Sequence, residues 1–184
     1  MVSAASLRKR LALPKTSWQL CLLAIIGGAV SALLVILFTL SIDLLQQFYL
    51  TKLGDYTSLS GISRLLLPII GVCAILLFAR FTGYHYLRAG IPFVLHHLKT
   101  SYGIIPLRNT LNQFVGGVIA LSTGFSLGKE GPAVHLGAAC CGYIGGKLQL
   151  PFNSIRTLSA CGVAAGIAAC FNTPVAAVIF VMEV

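Results

Sequence analysis

The chain has 184 residues, of which 57% are hydrophobic and 9% are charged, and its formal net charge is +9. Soluble domains contain about 25% charged residues, so this composition excludes an ordinary soluble enzyme, a disordered chain, a coiled coil and a secreted disulfide module. The basic residues stand between apolar stretches, and we interpret them as loop and topology markers, with no nucleic-acid partner. The composition predicts an all-α, multi-pass membrane protein that is surrounded mainly by the lipid bilayer.

Five stretches without a charged residue define the predicted membrane segments. A helix needs about 20 apolar residues to cross a bilayer, and the first stretch is long enough to cross with tilt. The second stretch is shorter and predicts a short or oblique span. In chain order, the five stretches cover residues 16–42, 65–79, 109–128, 131–146 and 157–182.

The N-terminal region is basic. The apolar run that follows it is too long for the core of a secretory signal, which has about 7–15 residues. By the positive-inside rule, residues 1–17 are predicted to be a cytoplasmic segment that is retained, and residues 18–184 form the membrane domain. The short cytoplasmic segment favours a cell membrane of prokaryotic type, the plasma membrane. The basic residues of this region are Arg8, Lys9, Arg10 and Lys15.

The later segments are rich in glycine, alanine and serine, which is typical of helices that pack closely within a membrane. The six cysteines lie in or near apolar stretches without the paired spacing of a zinc site, so no role is assigned to them. His96 and His97 are adjacent and would point about 100° apart on a helix, away from a shared metal. Neither a metal site nor a cofactor is predicted.

Three motifs place a proline where a helix could begin. Proline is favoured at the first helical position because the N–H group that it lacks would be unpaired there. The N–H groups at a helix N-terminus carry partial positive charge, so several such ends at membrane depth would bind an anion without a full positive charge. Ordinary proline kinks remain the alternative. The motifs are Gly90-Ile91-Pro92, Gly131-Pro132 and Thr173-Pro174.

Glu130 is one of only four acidic residues in the chain, and it directly precedes Gly131-Pro132. An ionisable residue within a membrane segment is costly and is by default a candidate for function. A carboxylate at this position could also simply cap a helix. The sharper hypothesis is that the carboxylate occupies the anion site as a tethered anion and that its protonation opens the path. Lys129 could be a local counter-charge or a loop lysine.

These motifs resemble those of the CLC chloride channels and anion/proton exchangers. Gly128 to Pro132, read G-K-E-G-P and followed by AVHLGA, resembles the G-R/K-E-G-P signature of that family. Residues 89–92 resemble its G-S-G-I-P loop, and the Phe171-Asn172-Thr173-Pro174 motif, with an apolar run ending in Glu183, is the third match. The three motifs occur in the order of the family and together cover most of the chain.

The resemblance implies a CLC-type bundle of tilted and broken helices, of which this chain is the first inverted-repeat half, truncated at its C-terminal end. It implies that Glu130 is the external gating glutamate and that helix ends surround the anion. It also implies a homodimer in which each subunit carries its own pore. The implied anion-binding residues are Ala89, Gly90, Ile91, Pro92, Gly128, Lys129, Gly131 and Pro132.

Several residues depart from the pattern of the family. Ala89 stands where the family usually has a serine that contacts the central anion, so selectivity for chloride over nitrate does not carry over. Arg88 replaces the glycine that usually begins this loop. Val184 stands where many exchangers have the internal proton acceptor, next to Glu183. Because valine cannot carry a proton, we expect a channel-like protein in which Glu183 is a secondary acid.

The predicted function is the transport of a small anion, chloride first, through a glutamate-gated pore that responds to pH or voltage. The alternative is a half-length membrane subunit or fragment that does not transport and needs a complementing half. A metal-ion transporter that uses the histidines ranks last, because only Glu130 and Glu183 among the acidic residues lie in the later spans. No catalytic constellation stands out, so an enzyme is not predicted.

Overall fold

The fold is all-α. A computed structural model describes residues 17–50, 55–56, 59, 61–83, 90–101 and 103–183, and these residues contain seven helices and no strand. The helices are α1 Ser17–Gln47, α2 Gly61–Thr82, α3 Ile91–Thr100, α4 Leu107–Ser122, α5 Glu130–Lys147, α6 Phe152–Phe171 and α7 Pro174–Glu183. Residues 1–16 of the predicted basic N-terminus lie outside the described residues.

Three of the described helices, α1, α2 and α6, are long and apolar enough to cross a membrane. Many large apolar side chains of α1 and α2 are exposed, as is expected of surfaces that face lipid. The apolar α7 has only 10 residues and α3 is equally short, so neither could cross a bilayer alone. The predicted all-α, multi-pass membrane class is confirmed.

The second predicted segment is longer than its uncharged stretch. Residues 65–79, predicted as a short or oblique span, belong to the 22-residue helix α2. Arg64 and Arg80 lie within this helix, one near each end, and both are exposed. The uncharged stretch understates the span because a long basic side chain can carry its charge from a helix end to the membrane interface.

The third predicted segment is only partly helical. Within residues 109–128, helix α4 ends at Ser122. The hydroxyl groups of Ser122 and Thr123 donate to the carbonyl oxygen of Ile119 at 3.0 and 2.8 Å. Gly124 then turns the chain with a φ of 87°, a conformation that glycine adopts readily. The remaining residues form the loop that leads to Glu130.

Helices α5 and α6 are antiparallel and pack backbone to backbone. A Cβ on Gly137 would meet the carbonyl oxygen of Gly162, and a Cβ on Gly162 would meet that of Gly137. One turn further along α6, a Cβ on Gly166 would lie 2.6 Å from the carbonyl oxygen of Ala133. Lipid provides no hydrophobic drive for helix association, so close packing of small residues holds the pair together. The predicted packing role of these glycines is confirmed.

Buried serines join other elements to this pair. Ser31 of α1 donates from its Oγ to the carbonyl oxygen of Gly137 at 3.2 Å and lies 3.3 Å from the Sγ of Cys141. Ser159 of α6 donates to the carbonyl oxygen of Gly103, between α3 and α4, at 3.2 Å. Interhelical hydrogen bonds of this kind stabilise helix packing in a membrane.

One end of the bundle is basic. Helix α5 ends there and α6 begins there, and Lys99 at the end of α3 lines a cavity together with Arg156 near the start of α6. Helix α2 also ends there and α4 begins there, since the hydroxyl of Thr82 donates to Oδ1 of Asn112 at 2.7 Å. We define the basic end by Arg80, Lys99, Arg108, Lys147 and Arg156.

The opposite end carries most of the described acidic residues. Tyr56, next to Asp55, donates from its hydroxyl to the carbonyl oxygen of Ser122 at 2.8 Å, which places this segment beside the end of α4. The start of α5 lies at the same end, because Glu130 and Asp43 line one cavity. The charged residues described at this end are Asp43, Asp55, Glu130, Arg64 and Lys129.

Candidate functional site

The N-termini of α3 and α5 lie side by side. A Cβ on Gly131, the second residue of α5, would lie 3.6 Å from the Cα of Gly90, which caps α3. One turn further along both helices, the rings of Phe93 and His135 stack with their centroids 5.3 Å apart. The two helices therefore run parallel from adjacent starting points, although their first residues are far apart in the sequence.

Gly90 has a backbone conformation that requires glycine. Its φ is 81° and its ψ is −160°, a region that other residues essentially do not enter. Helix α3 begins directly after it, with Pro92 in its first turn, and α5 has Pro132 in its first turn. The predicted helix starts at these two proline motifs are confirmed.

The first turns of α3 and α5 have free N–H groups. The first intrahelical hydrogen bonds are donated by Val94 in α3 and by Ala133 in α5. Neither helix has a side-chain cap, and in the described part of the chain no other acceptor faces the preceding N–H groups. The prolines have no N–H group. Among the described residues, the free donors are therefore the N–H groups of Ile91, Phe93, Glu130 and Gly131.

Glu130 is the first residue of α5, and its side chain is exposed. The side chain folds back toward the preceding loop, since its carboxyl carbon lies 3.6 Å from where a Cβ on Gly128 would be. It opens into a cavity of about 340 Å³ that is also lined by Lys129, Asp43 and Phe171. The carboxylate is thus held at a helix N-terminus and remains accessible from the cavity.

The third predicted helix start is at the same end of the bundle. Asn172 adopts the left-handed conformation, with a φ of 55°, and ends α6. Helix α7 then begins at Pro174, three residues after Phe171, which lines the cavity of Glu130. The predicted start of a helix at Thr173-Pro174 is therefore confirmed.

The structure separates the two acidic residues of the predicted site. Phe180 and Val181 of α7 line a cavity with Arg156 at the basic end, so α7 runs away from Glu130. Glu183, the last residue of α7, is exposed near that basic end. Glu130 and Glu183 therefore lie toward opposite ends of the bundle and do not form one site.

His135 and Phe93 are part of this region but were not predicted as site residues. His135 is 1% exposed, and neither of its ring nitrogens has a hydrogen-bond partner within the described ranges. It stacks on Phe93, whose N–H group is one of the free donors. The spacing could have identified it, because His135 follows Pro132 by three residues and residues three apart lie on one face of a helix.

The remaining predicted positions lie partly outside the described residues. Ala89, Arg88 and Val184 fall there, so the structure describes none of the departures from the family pattern. Within the described part of the chain, no three His, Cys, Asp or Glu side chains gather as a metal site would require.

The chain is similar to proteins of one family. The sequence model described as "Voltage gated chloride channel" matches residues 70–184. A chloride channel protein of Tetronarce californica is 32% identical over 126 residues, which is 64% of this chain and 16% of that protein. The H(+)/Cl(-) exchange transporter ClcA of Yersinia pestis is 31% identical over 177 residues, which is 92% of this chain and 36% of that protein.

A solved structure is similar as well. The crystal structure of a CLC-type fluoride/proton antiporter matches with a TM-score of 0.72 and 28% identity, over 94% of this chain and 41% of that chain. The chain therefore spans less than half the length of each of these matched proteins.

Proposed function

We propose a function for this chain on the basis of its family, because it belongs to the voltage-gated chloride channel family. In this proposal, the chain forms part of a path for a small anion across a membrane, with chloride as the first candidate. One observation carries the proposal: the N-termini of α3 and α5 adjoin, with Gly131 against Gly90, and four N–H groups of their first turns have no acceptor among the described residues. Aligned helix dipoles place partial positive charge at such ends, and free N–H groups bind anions. These N–H groups attract an anion through partial charges, which are too weak to trap it.

In this proposal, Glu130 is the gate. Its ionised carboxylate is held at the positive end of α5 and competes with a mobile anion for the same N–H groups. Protonation neutralises the carboxylate, so the anion path opens as the pH falls. The exposure of Glu130 to the cavity of about 340 Å³ supports this role, because a proton and an anion could both reach it from that side.

We propose that the anion site comprises Gly90, Ile91, Pro92, Gly128, Lys129, Gly131 and Pro132, together with Ala89. The backbone N–H groups supply the contacts, and the glycines and prolines shape the loops. Ala89 has no hydroxyl group to add to them, so the proposal does not include selectivity for chloride over nitrate.

We propose channel-like transport rather than transport coupled to protons. Val184 cannot bind a proton, and Glu183 at the far end of α7 is the secondary acid that a proton route would use. The names of the similar proteins include channels, an H(+)/Cl(-) exchange transporter and a fluoride/proton antiporter. Coupling therefore has to be measured. We also propose that further residues complete the anion path and that complete subunits form a homodimer.

We also propose that the protein lies in a cell membrane, such as a prokaryotic plasma membrane, with the basic end in the cytoplasm. Cytoplasmic ends of membrane helices carry an excess of Lys and Arg. Leu20 and Leu23 of α1 pack beside Leu148 and Leu150, so α1 begins at the basic end. Residues 1–17 would then be cytoplasmic, and Glu130 would face the outside.

Chloride efflux from liposomes that contain the purified chain tests the function. We expect efflux to rise as the external pH falls, because protonation of Glu130 removes the competing charge. Glu130→Gln should give efflux that is high and independent of pH. Asp43→Asn is the matched control, since Asp43 lines the same cavity but is not at a helix N-terminus, and it should keep the pH response.

Three outcomes would contradict parts of this proposal. An unchanged pH response in Glu130→Gln would exclude the gating role. Proton movement in a fixed ratio to chloride would exclude channel-like transport. A complete lack of efflux from a correctly inserted chain would favour the alternative, a half-length subunit that needs a complementing half.

A further inference from the structure

A second cavity lies at the basic end, away from Glu130. Its volume is about 400 Å³, and it lies between α3, α6 and α7. Small-molecule sites typically have volumes of about 300–1,000 Å³. Its inner wall is formed by apolar side chains that include the buried residues Val94, Leu98 and Val163. An interior of this kind suits a hydrocarbon chain and does not suit a hydrated ion.

The rim of this cavity is polar and basic. Lys99 at the end of α3 and Arg156 near the start of α6 both line it, and both are exposed. Asn153, one turn before Thr157, adds a neutral polar side chain. No acidic residue lines the cavity, and within the described residues no carboxylate forms an ion pair with either cation. Two cations without a carboxylate partner in the described part of the chain thus border an apolar interior.

The position of the rim matches the depth of lipid headgroups. Arg156 is the fifth residue of α6, a helix that is long enough to span the membrane, so its long side chain reaches the level of the membrane interface. Lys99 is in the last turn of α3. Basic pockets between membrane helices on the cytoplasmic side are suited to anionic headgroups. The charge of the rim and its depth in the membrane therefore both indicate an anionic lipid headgroup.

We propose that this cavity binds an anionic phospholipid from the leaflet at the basic end, with the phosphate at Lys99 and Arg156 and an acyl chain against the wall of α3, α6 and α7. The lipid would stabilise the packing of the short helix α3, which has only 10 residues, against α6. This inference is independent of anion transport, because it concerns the other end of the bundle and is tested by lipid binding.

The test is the melting temperature of the chain in detergent micelles at increasing mole fractions of phosphatidylglycerol. We expect phosphatidylglycerol to raise the melting temperature more than phosphatidylcholine with the same acyl chains. In Lys99→Gln/Arg156→Gln, the apparent affinity for phosphatidylglycerol should fall about 30-fold, since each basic residue near an anionic lipid surface contributes to binding. Native mass spectrometry would count the lipids that stay bound.

Arg108→Gln/Lys147→Gln is the matched control. It removes the same charge from the same end, but neither residue lines the cavity, so the preference for phosphatidylglycerol should remain. An equal loss of affinity for phosphatidylglycerol in both double variants would overturn the proposal, because general electrostatic attraction would then explain the effect.

Two measurements on the unmodified chain test the proposal even if a variant does not fold. Equal stabilisation by phosphatidylcholine and phosphatidylglycerol would overturn it, since apolar filling alone would explain the effect. Equal stabilisation by glycerol 3-phosphate without acyl chains would also overturn it, because the cations would then bind a free anion and not a lipid.

Discussion

Gly90 sets the backbone conformation with which the chain enters α3. Its φ of 81° and ψ of −160° turn the chain into the helix, and its Cα faces Gly131 at the start of α5. A side chain at position 90 would meet no neighbouring atom within 4 Å. The requirement for glycine is therefore one of backbone conformation and not of space.

Gly90→Ala should destabilise the protein by about 1–3 kcal/mol, because alanine is strained in this conformation. Thermal unfolding in detergent measures the change. Gly61→Ala is the control: Gly61 also has open space around it but no positive φ, and its substitution should leave the melting temperature nearly unchanged. Equal stability of both variants would show that the α3 start is not strained by a side chain.

His135 is a buried polar side chain without a partner among the described residues. A buried polar group that makes no hydrogen bond typically costs about 1–3 kcal/mol. The stack on Phe93 at 5.3 Å offsets part of this cost. The histidine is thus expected to weaken the core unless a group outside the described residues accepts or donates a hydrogen bond.

His135→Leu should leave the free energy of unfolding unchanged or raise it, because leucine fills the space without an unpaired polar atom. His135→Gln retains polar atoms and should give no such gain. Chemical unfolding in detergent compares the two. A marked loss of stability in the leucine variant, with the glutamine variant close to the parent, would reveal a hydrogen-bond partner of His135.

At the scale of elements, the antiparallel pair α5 and α6 holds the site in place. Helix α5 carries Glu130 at its start, and the glycines further along it bring its backbone against α6. Because both partners are glycines at Gly137 and Gly162, the contact is between backbones and cannot adjust by moving a flexible side chain. The position of Glu130 therefore depends on residues two or more turns away.

Gly137→Ala should destabilise the protein by about 1–3 kcal/mol, since its methyl group would force the two backbones apart. Gly146→Ala lies on the same helix, but a Cβ there would meet nothing within 4 Å, and it should be neutral or stabilise the helix by up to about 1 kcal/mol. Melting temperatures of the two variants provide the comparison. A neutral Gly137→Ala would contradict the backbone contact.

At the scale of the whole molecule, the charges separate between the two ends. Five of the seven described basic residues define the basic end, and three of the four described acidic residues lie at the other. This separation supports the proposed orientation, because basic residues are retained on the cytoplasmic side. It also places Glu130 and the cavity of Lys99 and Arg156 at opposite ends.

Cysteine labelling in intact cells with a membrane-impermeant maleimide tests the orientation. Leu127→Cys, at an exposed loop residue next to Glu130's motif, should react from outside. Lys147→Cys, at the basic end, should react only after the cells are permeabilised. The parent chain is the control for its own exposed cysteines, Cys21 and Cys73. The reverse pattern would invert the proposed topology.

Local features of the site could be predicted from the sequence. The starts of α3, α5 and α7 could be predicted from Pro92, Pro132 and Pro174, because proline is favoured in the first turn of a helix. The bounds of α2 and α4 were harder to predict. Arg64 and Arg80 lie inside α2, and α4 ends at Ser122 although no charge follows until Lys129. Charge gaps do not reveal where hydroxyl groups and a glycine turn end a helix.

The sequence by itself determined the membrane class and the helix starts, since hydropathy and proline act through local physical chemistry. It also led to the hypothesis that Glu130 is the gate, because an isolated carboxylate in a membrane segment is a candidate for function. Only the tertiary structure decided that Gly90 adjoins Gly131, that His135 is buried without a hydrogen-bond partner among the described residues, and that Lys99 and Arg156 share a cavity. These relations depend on contacts between helices that are distant in the chain. Such contacts arise from the close packing of many small residues at once, which no local pattern specifies.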